Sequence, residues 1–171
     1  ADCILLDPST HAQYFQHTFN LPAEKFRIWY AGCDEHLFHP LPISSNEVTI
    51  LHYGSHLPLH GVDTILEAAH LLRSESRIRF RLIGAGSQSN ALRKIAVQYG
   101  LRNIEFVPPI PLTSLPAEIA SATICLGGHF GAGEKARRVI AAKTFQCLAM
   151  QKPVIVGENP ANRELLTHAE S

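Results

Sequence analysis

The chain lacks a charge excess, a long apolar run and clustered cysteines, and each absence removes a class of function. Its 15 Lys and Arg balance 15 Asp and Glu, so the formal net charge is zero. Proteins held on nucleic-acid phosphates or anionic lipid need a basic excess, so neither is an expected partner. No apolar run approaches the roughly 20 residues that span a bilayer, so no transmembrane segment is expected. The opening residues, ADCILLDPST, lack the basic start and cleavage pattern of a secretory signal. Internal repeats and low-complexity tracts are absent too. Cys3, Cys33, Cys125 and Cys147 show no C-x-x-C spacing, and the last two fall in apolar stretches. That is the pattern of buried free thiols in a reducing compartment. Ten histidines include His36 with His39 and His56 with His60, but these pairs lie in Pro- or Gly-rich segments. Without acidic or cysteine partners to complete a set, no metal is expected.

What is present is an ordinary globular composition, 46% hydrophobic and 18% charged over 171 residues. That length fits one domain, or one domain and a fragment of another. Short apolar runs predict strands at 3–6, 26–29, 48–53, 78–83, 104–107, 123–126 and 153–156. Helical patterns between them cover 8–19, 61–73, 88–99, 115–121, 134–149 and 160–167. Ile65, Ala68, Ala69 and Leu72 form one core-facing stripe, and Leu92, Ile95 and Ala96 another before Gly100 ends its helix. Strands apolar throughout are buried on both faces, which predicts an α/β fold with a doubly wound, mostly parallel sheet and helices on both faces. The segment FHPLPISSN, 38–46, marks a boundary. Residues 1–40 read as the end of one domain plus a linker, and 41–171 as a second domain.

The stretch 122–157 is the most informative: a buried strand, a Gly-rich loop, a helix opening with Lys135, Arg137 and Arg138, then a second strand. Cations at a helix start oppose the dipole, which makes sense if a phosphate sits there; a solvated basic turn is the bland alternative. Two further strands end in glycine loops, one from Gly54 to Gly61, the other Gly84-Ala85-Gly86-Ser87. In such sheets ligands bind beyond the carboxyl ends of the strands, so three glycine loops on one edge point to backbone approaching a nucleotide or phosphate. Gly84 to Ser89 also resembles a broken dinucleotide fingerprint, whose acid would be Glu105 inside a strand rather than at its end. On the helix expected at 134–149, Lys135, Arg138, Ala142 and Gln146 share one face, opposite Ile140, Cys147 and Leu148. Lys143 lies beside that stripe, positioned either to serve a ligand or to reach water.

The runs Y-G-S-x-x-P-L-H-G, L-I-G-A-G, F-V-P-P-I, K-A-x-R-V-I-x-x-K-x-F-x-x-L-A-M-x-K-P-V-I-V-G and N-R-E-L together resemble the group 1 glycosyltransferases, family 4, of the GT-B fold. Residues 30–40 are similar to that family's G-x-D-x-x-x-F-x-P link between domains. The resemblance implies retaining transfer of a hexosyl group from a UDP- or GDP-sugar to a surface-polysaccharide or glycoconjugate acceptor. It implies that the acceptor domain precedes the donor domain, and that this piece alone is inactive. It also implies a bacterial, cytoplasmic enzyme, with any contact to the inner face of the membrane made through the N-terminal domain. By position, Gly54, Ser55, His60 and Gly61 would lie beside the diphosphate. Gly84, Gly86 and Val107 would flank the base. Gly128, Gly131, Lys135 and Arg138 would hold the sugar-phosphate, with Lys143 to the side and Gln146 facing the ribose. No catalytic residue is assigned, and the donor is the only small molecule implied, with no cofactor. The family's basic pair in the first loop is replaced by Ser55 and His60, and its paired glutamates by Arg138 and Gln146. A degenerate, nonenzymatic domain is therefore one alternative, and a dinucleotide-binding oxidoreductase domain another.

Overall fold

The computed structural model describes residues 1–42 and 47–168; the later part of the expected linker, 43–46, and residues 169–171 lie outside them. Strand β1 (Ile4–Leu6), helix α1 (Ser9–Phe19) and strand β2 (Phe26–Ile28) form one unit, with β1 and β2 paired in parallel as a separate two-stranded sheet. The main sheet contains β3 (Val48–Tyr53), β4 (Ile78–Ile83), β5 (Ile104–Val107), β6 (Ile124–Leu126) and β7 (Val154–Ile155). Their order is β5-β4-β3-β6-β7, and every pairing is parallel. Helices α2 (Val62–Leu71), α3 (Ser89–Gln98), α4 (Leu115–Ser121), α5 (Glu134–Arg137) and α6 (Ala142–Ala149) connect the strands.

The two cores lie on opposite faces of the sheet, as strands buried on both sides require. On one face Ile50, Phe80 and Leu82 pack on Val62, Ile65 and Leu66 of α2 and Leu92 and Ala96 of α3. On the other, Leu51, Tyr53 and Cys125 meet Leu115 and Ile119 of α4 and Cys147 of α6, and Phe38 closes that core. Leu51, Leu66 and Leu82 have no exposed surface, and burial of each stabilises the fold by about 1.5–3 kcal/mol. The α2 stripe is turned slightly from expectation: Val62, Ile65, Leu66 and Ala69 are buried, while Ala68 and Leu72 sit at its edge. Helix α3 ends as expected on Gly100, at φ +63°. Leu101 N–H reaches the Ala96 carbonyl and Gly100 N–H that of Val97, the paired bonds of a Schellman cap.

Two helices depart from expectation. The helix at 134–149 is broken into α5 and α6, with Arg138 at φ −119° and Ala141 extended at ψ 135°. The adjacent β-branched Val139 and Ile140 weaken the helix locally, and three tertiary bonds bend the chain there. Asn159 Nδ2 holds the Ala136 carbonyl, Thr144 Oγ1 the Gly127 carbonyl, and Thr10 Oγ1 the Arg138 carbonyl. The helix at 160–167 contracts to one 3₁₀ turn, Asn162–Glu164, because Asn159 and Asn162 spend their side chains on nearby backbone.

That turn carries Glu164 to the start of α1. Its carboxylate accepts from Ser9 N (2.8 Å), Ser9 Oγ (2.7 Å) and Thr10 N (3.1 Å), capping a helix some 155 residues away in sequence. Burial raises the Glu164 pKa, but these bonds and one from Tyr30 outweigh it and hold the group below its ordinary value.

Candidate functional site

Strand β3 is the point where chain direction across the sheet reverses: α2 leads to β4 on one side, and α4 crosses back to β6 on the other. The crevice at such a switch point, beyond the carboxyl ends of the strands, is where open α/β sheets bind ligands. Here it is bordered by the three glycine loops, laced together by backbone bonds. His56 N–H reaches the Ala85 carbonyl, Gln88 N–H that of His56, and Phe130 N–H that of His60. Several of the glycines serve this lacing. A Cβ on Gly84 would lie 1.9 Å from the Gly54 carbonyl oxygen, and one on Gly61 would lie 2.3 Å from the Phe130 backbone. Gly86 is closed against His56, Gly131 against Pro58, and Gly128 against Gly157 in the same way. The Val107 carbonyl is likewise used inside the protein, by Gly84 N–H.

Lys143 stands in the first turn of α6 with only 7% of its surface exposed, and its Nζ is buried without a hydrogen-bond partner. The ammonium lies 3.2 Å from where a Gly54 side chain would begin and 5.7 Å from the centre of the Tyr53 ring. Among the described residues, the salt bridges join Arg81 to Glu105 and Glu118 and Arg163 to Glu158, so no acid neutralises it. Burial pushes its pKa down to about 8, against a small opposing pull from Cys147. A buried cation without a partner costs several kcal/mol, and a position at the positive end of a helix adds to that. This is the site's main electrostatic feature.

Four imidazoles surround the ammonium. His52 is fully buried with neither ring nitrogen bonded, and His56 holds Ser89 Oγ at 2.9 Å through Nδ1 while its Nε2 is unpartnered. The Nδ1 of His60 meets the Ser55 carbonyl, and its ring stacks on His129 with centroids 5.2 Å apart. All four are driven toward the neutral form, chiefly by burial and then by neighbouring cations, and His129 falls to about 4. Lys143 is therefore the charge at the crevice near pH 7.

Gln146, one turn along α6, is held by the Tyr53 hydroxyl, which donates to its Oε1 at 2.9 Å. The expected acceptor for a ribose hydroxyl thus already takes one bond inside the protein, leaving its second lone pair and the N–H₂ for a ligand. Arg138 does not share a stripe with Lys135 and Gln146, because the break in the helix turns it away. Its guanidinium carbon lies 3.7 Å from the centre of the Tyr14 ring of α1. Lys135 is exposed and borders a groove of about 500 Å³ with Pro58, Leu59, Asp63, Gln88 and Phe130. With α5 only one turn long and Glu134 at its start, the anion site expected at its N-terminus is not formed; the buried cation is Lys143 instead. Ser55 is exposed. The structure thus gathers Gly54, His60, Lys143 and Gln146, adds Tyr53, His52 and His129, and sets Arg138 against Tyr14. His129 was visible as a histidine inside the Gly-rich loop, and Tyr53 as the last residue of a strand that ends at Gly54. A larger depression of about 580 Å³ opens among the starts of β3, β4 and β5, at the edge such sheets do not use for ligands. Among the described residues, no group of three or more His, Cys, Asp or Glu could hold a metal ion.

A family model described as glycosyl transferases group 1 matches residues 47–171. The chain belongs to this family. It is 37% identical over 81 residues to WcaI of Escherichia coli (strain K12), a protein assigned by name to glycosyl transfer in colanic acid biosynthesis; the match covers 47% of this chain and 20% of WcaI. Anabaena Alr3699/HepE, solved with UDP and glucose, superposes with a TM-score of 0.79 at 15% identity, covering 98% of this chain and 47% of HepE. WaaG, a glycosyltransferase involved in lipopolysaccharide biosynthesis, superposes with a TM-score of 0.75 at 18% identity, covering 94% of this chain and 45% of WaaG. The chain thus has the Rossmann-like fold of these enzymes and spans less than half the length of each. The oxidoreductase alternative gives way to the family match, and Glu105, its expected ribose acid, is paired with Arg81.

Proposed function

We propose that this chain carries the donor-binding domain of a retaining hexosyltransferase that takes a UDP- or GDP-sugar and builds a surface polysaccharide or glycoconjugate. The observation that carries the reading is Lys143, buried and unpaired at the switch-point crevice. A diphosphate there would neutralise the ammonium in a low-dielectric setting, where the interaction is strong. As the sugar leaves, negative charge grows on the diphosphate, and a fixed cation stabilises that charge without reorganising. Gln146 N–H₂ and the loops around Gly54 and Gly84 would orient the nucleoside, with no metal required. Residues 1–40 are read as the close of an acceptor domain and its link, and 41–171 as the donor domain. The greater length of the relatives supports that division. Transfer would then require the acceptor domain, and this chain alone would bind donor without turnover. The enzyme would work in the cytoplasm, with any membrane contact made by the acceptor domain.

Calorimetric titration of the chain with UDP and GDP tests this. Saturable heat with one of them is expected. A folded chain that is silent to both would favour a degenerate domain kept without its ligand.

A further inference from the structure

The contact between His60 Nδ1 and the Ser55 carbonyl fixes the tautomer of that ring. A carbonyl only accepts, so Nδ1 carries the hydrogen, and Nε2 of the neutral ring is a bare acceptor. An acceptor cannot bind an anion. Yet the ring stands at the proposed diphosphate crevice, with Cε1 3.6 Å from the same point above Gly54 that the Lys143 ammonium approaches to 3.2 Å. His129 stacks on it with planes 21° apart and a buried, unpartnered Nδ1. His52 lies 6.1 Å from it on the other side, fully buried and unbonded. The groups facing the stack are Lys143 of α6, His52 of β3, His56 of the same loop, and Lys135 of α5 near His129. The carboxylates beside these elements are Asp63, at the start of α2 in the groove with Lys135, and the exposed Glu134 at the start of α5. Among the described residues no hydrogen bond or salt bridge joins either to the rings. No acid is in place to hold a proton on these rings.

We propose that donor binding takes up one proton from solvent onto Nε2 of His60, which turns that nitrogen from an acceptor into an N–H donor to a phosphate oxygen. This rests on the nucleotide-sugar reading above. The stacked rings share one proton rather than two, because like charges 5.2 Å apart repel. In the free protein burial, and then Lys143, keeps His60 below its ordinary value, and burial takes His129 to about 4, so both are neutral near pH 7. A bound diphosphate raises the His60 value. Affinity is therefore highest in mild acid and declines as pH rises through the value in the complex, by up to about tenfold per pH unit for one proton. The device brings a second cation to the diphosphate only when the diphosphate is present.

The test is calorimetry of the whole chain with UDP-glucose and GDP-mannose, whose doubly esterified diphosphates do not titrate near neutrality. Titrations in buffers of different ionisation enthalpy near pH 7, where Lys143 largely keeps its proton, count the protons. Uptake approaching one proton per donor is expected, with affinity falling toward higher pH. Near pH 7 His60→Lys should retain binding and lose the uptake, and His60→Gln should weaken binding and lose the uptake too. Binding with buffer-independent heat overturns the inference and leaves the nucleotide reading standing. Uptake that persists in both variants overturns the assignment to His60. Silence with both donors removes the inference together with the reading beneath it.

Discussion

Replacing Lys143 with methionine should make the free chain more stable while removing its ligand. The ammonium is penalised in place: its pKa falls from 10.5 to about 8, mainly through burial. At about 1.4 kcal/mol per pH unit, that is roughly 3 kcal/mol of folding free energy lost by keeping the charge. Methionine fills nearly the same volume with no charge to desolvate. Each kcal/mol moves the melting temperature of a chain this size by about 2–4 °C, so Lys143→Met should melt about 6–12 °C higher near pH 7. The sign also predicts a pH dependence. Between about 8 and 10.5 the unfolded chain holds the lysine proton and the folded one does not, so wild-type stability rises with pH across that window. The variant lacks this rise, and its advantage should shrink by about pH 9.5. Differential scanning calorimetry at the two pH values, with and without UDP or GDP, reads both effects. The nucleotide should raise the melting temperature of the wild type only. A variant less stable than wild type at both pH values would refute the reasoning, since it would mean that the protein already satisfies the ammonium.

Two further substitutions test neighbouring contacts. Gln146→Glu leaves one carboxylate oxygen for the Tyr53 hydroxyl and presents the other outward as an acceptor. Nucleoside diphosphate should then bind about 1 kcal/mol tighter by calorimetry, and pyrophosphate, which has no ribose, should gain nothing; equal effects on both would dissociate Gln146 from the ribose. Glu164→Gln weakens the cap on α1 and should destabilise the chain by about 1 kcal/mol in urea. Because the Glu164 pKa is depressed, its contribution is present above the ordinary carboxylate value and lost as pH falls through the folded value, so wild type and variant should converge in acid.

Much of the sheet was legible because its strands are short apolar runs closed by turn residues: β3, β4 and β5 end where the sequence says they should. The break between α5 and α6 was not. Residues 138–141, Arg-Val-Ile-Ala, contain neither proline nor glycine, and the bonds that bend them come from Thr10, Asn159 and Gly127. Local propensity cannot register partners so distant in sequence. The glycines show the same limit from the other side. A glycine announces that something approaches closely, but the sequence does not say what; for Gly84 it is the carbonyl of Gly54, not a ligand.

The break also redistributes the charge at the site. In one continuous helix, Lys135 and Arg138 would stand together at its positive end. In the folded chain Arg138 lies on Tyr14 with its Nε buried and unpartnered, and Lys135 is in water. The same premise, that a cation at a helix start without an acid calls for a ligand, then applies to Lys143, whose ammonium is buried and unpartnered at the crevice. Its case is stronger because burial raises the cost that Lys135 avoids by solvation. The neutral histidines fit this arrangement. Four permanent cations beside Lys143 would add to a desolvation cost already present, and the neutral rings spare the empty crevice that charge.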